Sequence, residues 1–212
     1  MKKTQIKIIK SAIQLFNEQG TSNVRLQDIA KSAGISPGNL SYHYRLKKDL
    51  MAGVLEYMKL AFVESQNTNL SFLESNDYGT IIRNYIRFQI EHRFFYRDIL
   101  DIIALVPEAR SLYEKQIERV VNFSKNGLYL AAGKGIIKPE PHEGHFHFFA
   151  KNAWAILNSW LTEREVLGDE KVSLQHAFLA MLEFHYPYFT EDKGKAWYGK
   201  MKQDLIRLVN SI

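Results

Sequence analysis

DIAKSAGISPGNLSYHYRLKKDL, residues 28–50, carries the densest set of local structural signals in this 212-residue chain. Ile29, Ala30 and Ala33 fall on one helical face, so the segment up to Ser32 reads as a short amphipathic helix that Gly34 stops. Ser36 then offers a hydroxyl to the free amides of a new helix, and Pro37 occupies its first position, where a missing N–H costs nothing. Two short helices joined by a glycine-containing turn of three or four residues form a helix-turn-helix pattern, whose second helix enters the major groove of DNA. The reader helix is predicted over residues 37–43.

The side chains of that helix suit the task. Pro37, Gly38 and Asn39 are small or amide-bearing, so the backbone can approach a duplex, and an Asn can bond an adenine edge in two places. Ser41, Tyr42, His43, Arg45, Lys47 and Lys48 follow, and their donors fit phosphate oxygens, which fix register without reading sequence. A charge run alone is more often a solvated helix face. The glycine, the cap and the proline around it favour the DNA reading.

The run IAKSAGISPGNLSYHYRLKKDL resembles the DNA-binding motif of the TetR/AcrR transcriptional regulators, at Ile29, Ala30, Ala33, Gly34, Ile35, Ser36, Leu40, His43, Tyr44, Lys47 and Leu50. The likeness is sharp over about residues 6–50 and architectural beyond. Ser41 replaces the usual Tyr of that motif, leaving Tyr42 as the aromatic contact, and Arg25 and Leu46 stand where a Ser, Thr or Asn usually caps a helix. The resemblance implies a helical ligand-binding and dimerisation domain after the head, with the last two long helices forming a four-helix bundle with a second subunit.

Charge agrees with a polyanion-binding head. Residues 1–50 hold nine Lys and Arg against three Asp and Glu, a net of +6, and the remainder is −1 within a total of +5. Residues 4–19 place Ile6, Ile9, Ala12, Ile13 and Phe16 at helical spacing, with Gly20 closing that helix. Its apolar face is expected to pack on Ile29, Ala33, Leu40 and Tyr44, and its lysines to reach the DNA backbone or merely to solvate the support of the reader.

Beyond the head no β-alternating run occurs, and the fold class is all-α: a three-helix head at 1–50 joined by a linker helix to a helical regulatory domain at 51–212. Helices are predicted over 47–65, 78–92, 94–104, from Pro107 to about 132, and over 145–166, 173–189 and the tail, with a break at 66–77 and a loop at 134–144. The chain has no cysteine, which excludes disulfides and thiolate metal sites and fits a reducing cytosol. Lysines interrupt the N-terminal apolar runs and no stretch suits a membrane span, so a cytoplasmic protein without membrane attachment is expected.

Catalytic motifs are absent: no phosphate-cradling glycine loop, Gly-x-Ser-x-Gly elbow or His-Glu-x-x-His pair occurs. His142, His145 and His147 have ligand-like spacing but only Glu143 to complete a set, so neither a metal nor a cofactor is expected. Aromatic residues on the central helices could be core or could line a pocket. Arg87, Phe88, His92, Tyr113, Gln116, Phe123, Asn152 and Trp154 are the candidates to meet a small, largely apolar effector. Phe146, Phe149, Ala153, Trp160, Phe178, Leu182 and His185, on the two most apolar helices, are the candidates for a homodimer interface. The expected function is a homodimeric, ligand-responsive repressor of a near-palindromic operator. An enzyme or metal-binding protein with an incidental basic head, and a DNA-binding regulator whose large domain meets only a protein partner, remain the alternatives.

Overall fold

The computed structural model describes residues 1–66, 78–167 and 174–209, so the sequence-predicted break at 66–77 lies almost wholly outside the described residues. Among the described residues the chain is helical, with no strand and one isolated antiparallel bridge between Ile137 and Phe189. The α-helices are α1 (Lys3–Gln19), α2 (Leu26–Ser32), α3 (Pro37–His43), α4 (Lys47–Gln66), α5 (Tyr78–Glu91), α6 (Arg93–Arg97), α7 (Ile99–Leu105), α8 (Ala109–Gly133), α9 (His145–Val166), α10 (Leu174–His185) and α11 (Lys193–Val209). No described helix is long and apolar enough to cross a membrane.

Two compact units can be distinguished, one of Met1–Ser65 with Phe88–Tyr113, the other of Gln66–Arg87 with Glu114–Ile212. In the first, α1 packs on both α2 and α6. Ile9, Ala12, Ile13 and Phe16 are buried as their spacing predicts and Ile6 is half-buried, while Ile29, Ala33, Leu40 and Tyr44 are buried too. Phe16 meets Phe94 of α6 with ring centroids 5.4 Å apart, and Ile8 is fully buried as well. The apolar face of α1 is wider than a surface helix needs because it is covered on two sides.

The helix starts at Arg25 and Leu46, which lack a hydroxyl cap, are set by the acid three residues on. Asp28 Oδ2 accepts the Arg25 N–H at 3.0 Å and Asp49 Oδ2 accepts the Leu46 N–H at 2.9 Å. Each carboxylate also lies in a first turn, where the helix dipole favours negative charge. The helix predicted over 94–104 is two helices, because Asp98 leaves helical geometry (φ −105°, ψ 19°) and turns its carboxylate to Thr21 and Arg97.

In the second unit α10 packs on α9 and α11. Phe149 stacks on Phe184 at 4.5 Å and meets His185 edge-on at 4.9 Å. The first turn of α9 follows Gly144, which has no side chain to cap with, and Glu140 from the preceding loop accepts the Phe146 N–H at 2.8 Å instead. That bond, with the Tyr129 hydroxyl on the other oxygen, holds the Glu140 carboxyl below its usual range.

Candidate nucleic-acid interface

The turn between α2 and α3 is closed by two backbone bonds, Gly34 N–H to Lys31 O and Ile35 N–H to Ala30 O, both 3.0 Å. This is the Schellman arrangement, and it needs a left-handed residue where Gly34 sits with φ +60°. Ser36 Oγ accepts the Asn39 N–H at 3.2 Å and Pro37 opens α3, so the reader helix begins and ends where the sequence predicts, at Pro37–His43.

Leu40 alone of α3 is buried, and it pins the helix to the head. Ser36, Pro37, Gly38, Asn39, Ser41 and Tyr42 are exposed, Arg45 beyond the helix is exposed, and His43 is half-buried. Tyr42, 82% exposed, projects a phenol ring from the reader with His43 edge-on beside it, at 5.2 Å. The nearest atom to a Cβ built on Gly38 would be Ser36 Oγ, at 4.0 Å, so the packing of the chain gives no reason for glycine there. Lys3, Lys7, Lys10 and Lys31 are exposed on α1 and α2.

Lys47 is half-buried. Its ammonium, read from the sequence as a phosphate contact, turns inward and donates to the Thr21 carbonyl oxygen at 2.5 Å and to that of Ser22 at 3.5 Å. Burial pushes its pKa down from the ordinary lysine value. Lys48, one position on and exposed, is the lysine of this pair that faces solvent. Nothing local in the sequence signals this exchange, since the carbonyl that captures Lys47 lies 26 residues upstream.

The residues read as effector contacts are divided between the units. Phe88, His92 and Tyr113 belong to the first, and Arg87, Gln116, Phe123, Asn152 and Trp154 to the second. Phe88 and His92 are buried and stacked at 4.3 Å, and His92 Nδ1 lies 2.9 Å from the Phe88 carbonyl oxygen. Arg87 and Asn152 are exposed, while Tyr113, Gln116, Phe123 and Trp154 are half-buried. A cleft of about 380 Å³ opens elsewhere, at the end of α1, lined by Glu18, Thr21, Ser22, Arg97, Asp98 and Asp101 among others.

The residues read as a dimer interface lie on the inner faces of their helices. Phe146, Phe149, Ala153, Trp160, Phe178, Leu182 and His185 are all buried within the single chain, at 8% exposure or less. An apolar stripe reports burial and not what does the burying, and here neighbouring helices of the same chain cover it. The opposite face of α9 is exposed, along Phe148, Asn152, Ala155, Ser159, Thr162 and Val166. No group of three or more metal-ligating side chains suited to an ion occurs among the described residues. His145 Nε2 instead lies 3.1 Å from the Tyr188 hydroxyl.

A capped, proline-opened helix held by one leucine and showing its polar face to solvent defines a helix-turn-helix head of the DNA-reading class. A family model described as "Bacterial regulatory proteins, tetR family" matches residues 8–54, and one described as "Bacterial transcriptional repressor" matches residues 57–196. The chain belongs to the TetR family. It is similar to a TetR-family transcriptional regulator from Marinobacter aquaeolei VT8, with TM-score 0.80 and 26% identity over 96% of this chain and 98% of that one. It is 29% identical over 133 residues to the probable HTH-type transcriptional regulator YttP of Bacillus subtilis, covering 56% of this chain and 62% of that protein. It is 48% identical over 44 residues to the negative regulator IcaR of Staphylococcus aureus, covering 21% of this chain and 24% of that protein. The matches to YttP and to YerO of Bacillus subtilis span 62% and 49% of those proteins' lengths.

Proposed function

We propose that this protein is a homodimeric, ligand-responsive DNA-binding transcriptional regulator that represses from a near-palindromic operator and leaves it when a small, largely apolar molecule binds. The observation that carries the reading is the exposed face Ser36–Asn39, Ser41 and Tyr42 on a helix whose one buried residue is Leu40. Asn39 and Tyr42 are the candidates to meet base edges. Ser36, Ser41, His43, Arg45 and Lys48, with the lysines of α1, are the candidates to meet phosphates.

Dimerisation is assigned to the exposed face of α9, from Phe148 to Val166. Its small residues Ala155, Ser159 and Thr162 would let two copies approach closely about a two-fold axis. Effector binding is assigned to the second unit around the half-buried Gln116, Phe123 and Trp154. Two proteins with this fold are named for small molecules, a gamma-butyrolactone receptor and SmeT in complex with triclosan, at 16% identity each.

The test is selection of duplexes from a random pool followed by anisotropy titration. A two-fold protein presents two readers to one face of the duplex, so the selected sequence should carry a dyad with half-site centres about 34–36 Å apart or a multiple of it. Selection that enriches no motif would reject the DNA-reading role. An effector found by screening should bind more weakly when operator is present, by the same factor by which it weakens operator binding, typically about 5–150-fold. Equal effector affinity with and without operator would reject the allosteric part for that molecule.

A further inference from the structure

Thr21 lies in the turn after α1, 3% exposed, and is held from two sides. Its N–H and its hydroxyl both donate to Asp98 Oδ2, at 2.7 and 2.8 Å, and its carbonyl accepts from Lys47 Nζ at 2.5 Å. Asp98 is the joint between α6 and α7, and Lys47 is the first residue of α4, four positions after the reader ends. A nearly buried threonine therefore ties the α6–α7 joint to the helix that leaves the DNA head, across 77 and 26 residues of sequence.

The surroundings stiffen the joint. Arg97 donates to Asp98 Oδ1 at 2.8 Å and to the Phe16 carbonyl at the end of α1 at 2.8 Å. Asn17 accepts the Phe94 N–H at 3.0 Å and donates to the Glu91 carbonyl at 2.8 Å. Burial alone would raise the Asp98 pKa, but the Arg97 guanidinium and the two Thr21 donors outweigh it and keep the carboxyl ionised below its usual range.

We propose that Thr21 is a positioning residue for DNA binding, transmitting the placement of Asp98 at the α6–α7 joint to Lys47 at the start of α4 and so fixing how the reader is held. Buried donors left without an acceptor are costly, so Thr21 follows Asp98 when that joint moves, and Lys47 follows the Thr21 carbonyl. The proposal rests on the DNA-binding reading above and gives its regulation a second route beside the covalent path through α4.

Two measurements on the full-length chain test it. Thr21→Val should lower affinity for the selected operator duplex at least fivefold while changing affinity for a random duplex less than twofold, and Thr21→Ser, which keeps the hydroxyl, should restore it. Without any DNA, amide hydrogen exchange at the first turns of α4, Leu50–Val54, should accelerate at least threefold in Thr21→Val and in Asp98→Ala. Asp101→Asn, which touches only the Ser22 hydroxyl of this turn, should leave it unchanged. Unchanged operator affinity, equal losses on both duplexes, or unaltered α4 exchange would each overturn the relay. If the wild-type chain shows no duplex preference, the DNA-binding reading fails, and amide exchange alone decides whether Thr21 links Asp98 to α4.

Discussion

Tyr44, the residue that ends the reader helix, lays its ring across Gly53 of α4, so closely that a Cβ at position 53 would stand 2.9 Å from Tyr44 Cε1 and 3.0 Å from its hydroxyl oxygen. Tyr44 is 7% exposed and burial raises its pKa, so the ring has little room to retreat. Gly53→Ala gains about 1 kcal/mol of helix propensity but overpacks the contact, which costs about 1–3 kcal/mol. The variant should be less stable in urea, by up to about 2 kcal/mol, and should bind operator more weakly because the reader is displaced. A variant at least as stable as wild type would show that the ring moves freely and does not lock α3 to α4.

Gly38 poses the reverse case. Nothing in the chain crowds it, and alanine in its place should leave the fold unchanged or stabilise it by a few tenths to about 1 kcal/mol. If the backbone there lies against DNA, the added methyl group should cost operator binding tenfold or more. Denaturation and anisotropy on the same preparation separate the two effects, and operator affinity equal to wild type would remove Gly38 from the DNA surface.

Lys48 and Asn39 should differ in what they read. Lys48→Ala should weaken all sequences alike and reduce the salt dependence by about one unit of slope, as loss of one phosphate contact does. Asn39→Ala should instead change base preference, at about 1–3 kcal/mol for a bidentate adenine contact. Lys47→Ala should behave as neither, altering stability more than salt slope because its ammonium serves the Thr21 carbonyl. A salt slope lowered by Lys47→Ala as much as by Lys48→Ala would return Lys47 to the phosphate set.

What was legible in the sequence was local. The start of α3 follows from Ser36, Pro37 and the glycine turn, signals that act within a few residues, whereas the capping by Asp28 and Asp49, three residues past Arg25 and Leu46, went unread although it too is local. What the sequence concealed depends on partners far away. The inward turn of Lys47 and the break at Asp98 are both set by Thr21, 26 and 77 residues distant. The stripe Phe146, Phe149, Ala153, Trp160 announced burial but could not say that the chain itself covers it.

His185 makes acid the condition under which the helical body weakens. Its imidazole is buried edge-on against the stacked rings of Phe149 and Phe184, with Nδ1 2.7 Å from the Met181 carbonyl, and burial lowers its pKa from 6.5 to about 4. The unfolded chain takes up this proton near 6.5 and the folded chain only near 4, so stability is full above 6.5 and declines as pH falls between those values. The loss is at most about 3–4 kcal/mol by the usual 1.36 kcal/mol per unit. His92, shifted down by burial as well, acts in the same direction. Urea midpoints at pH 7.5 and 5 should differ less in His185→Gln than in wild type, and an equal difference would assign the acid sensitivity elsewhere.

The two faces of α9 distinguish folding from assembly. Phe178 of α10 and Trp160 are buried in the chain's own core, so Phe178→Glu or Trp160→Glu would place a charge without a partner among apolar side chains and unfold the helical body. Ala155 and Val166, the latter 78% exposed, lie on the face open to solvent, where a single chain tolerates a charge. In a two-fold contact each substitution is applied twice, so Ala155→Glu and Val166→Glu should leave the circular dichroism of the monomer intact while weakening dimerisation by tenfold or more. Loss of the dimer should also abolish simultaneous occupation of two half-sites, reducing operator affinity toward that of one reader. Sedimentation showing an intact dimer in both exposed-face variants would move the subunit contact off α9.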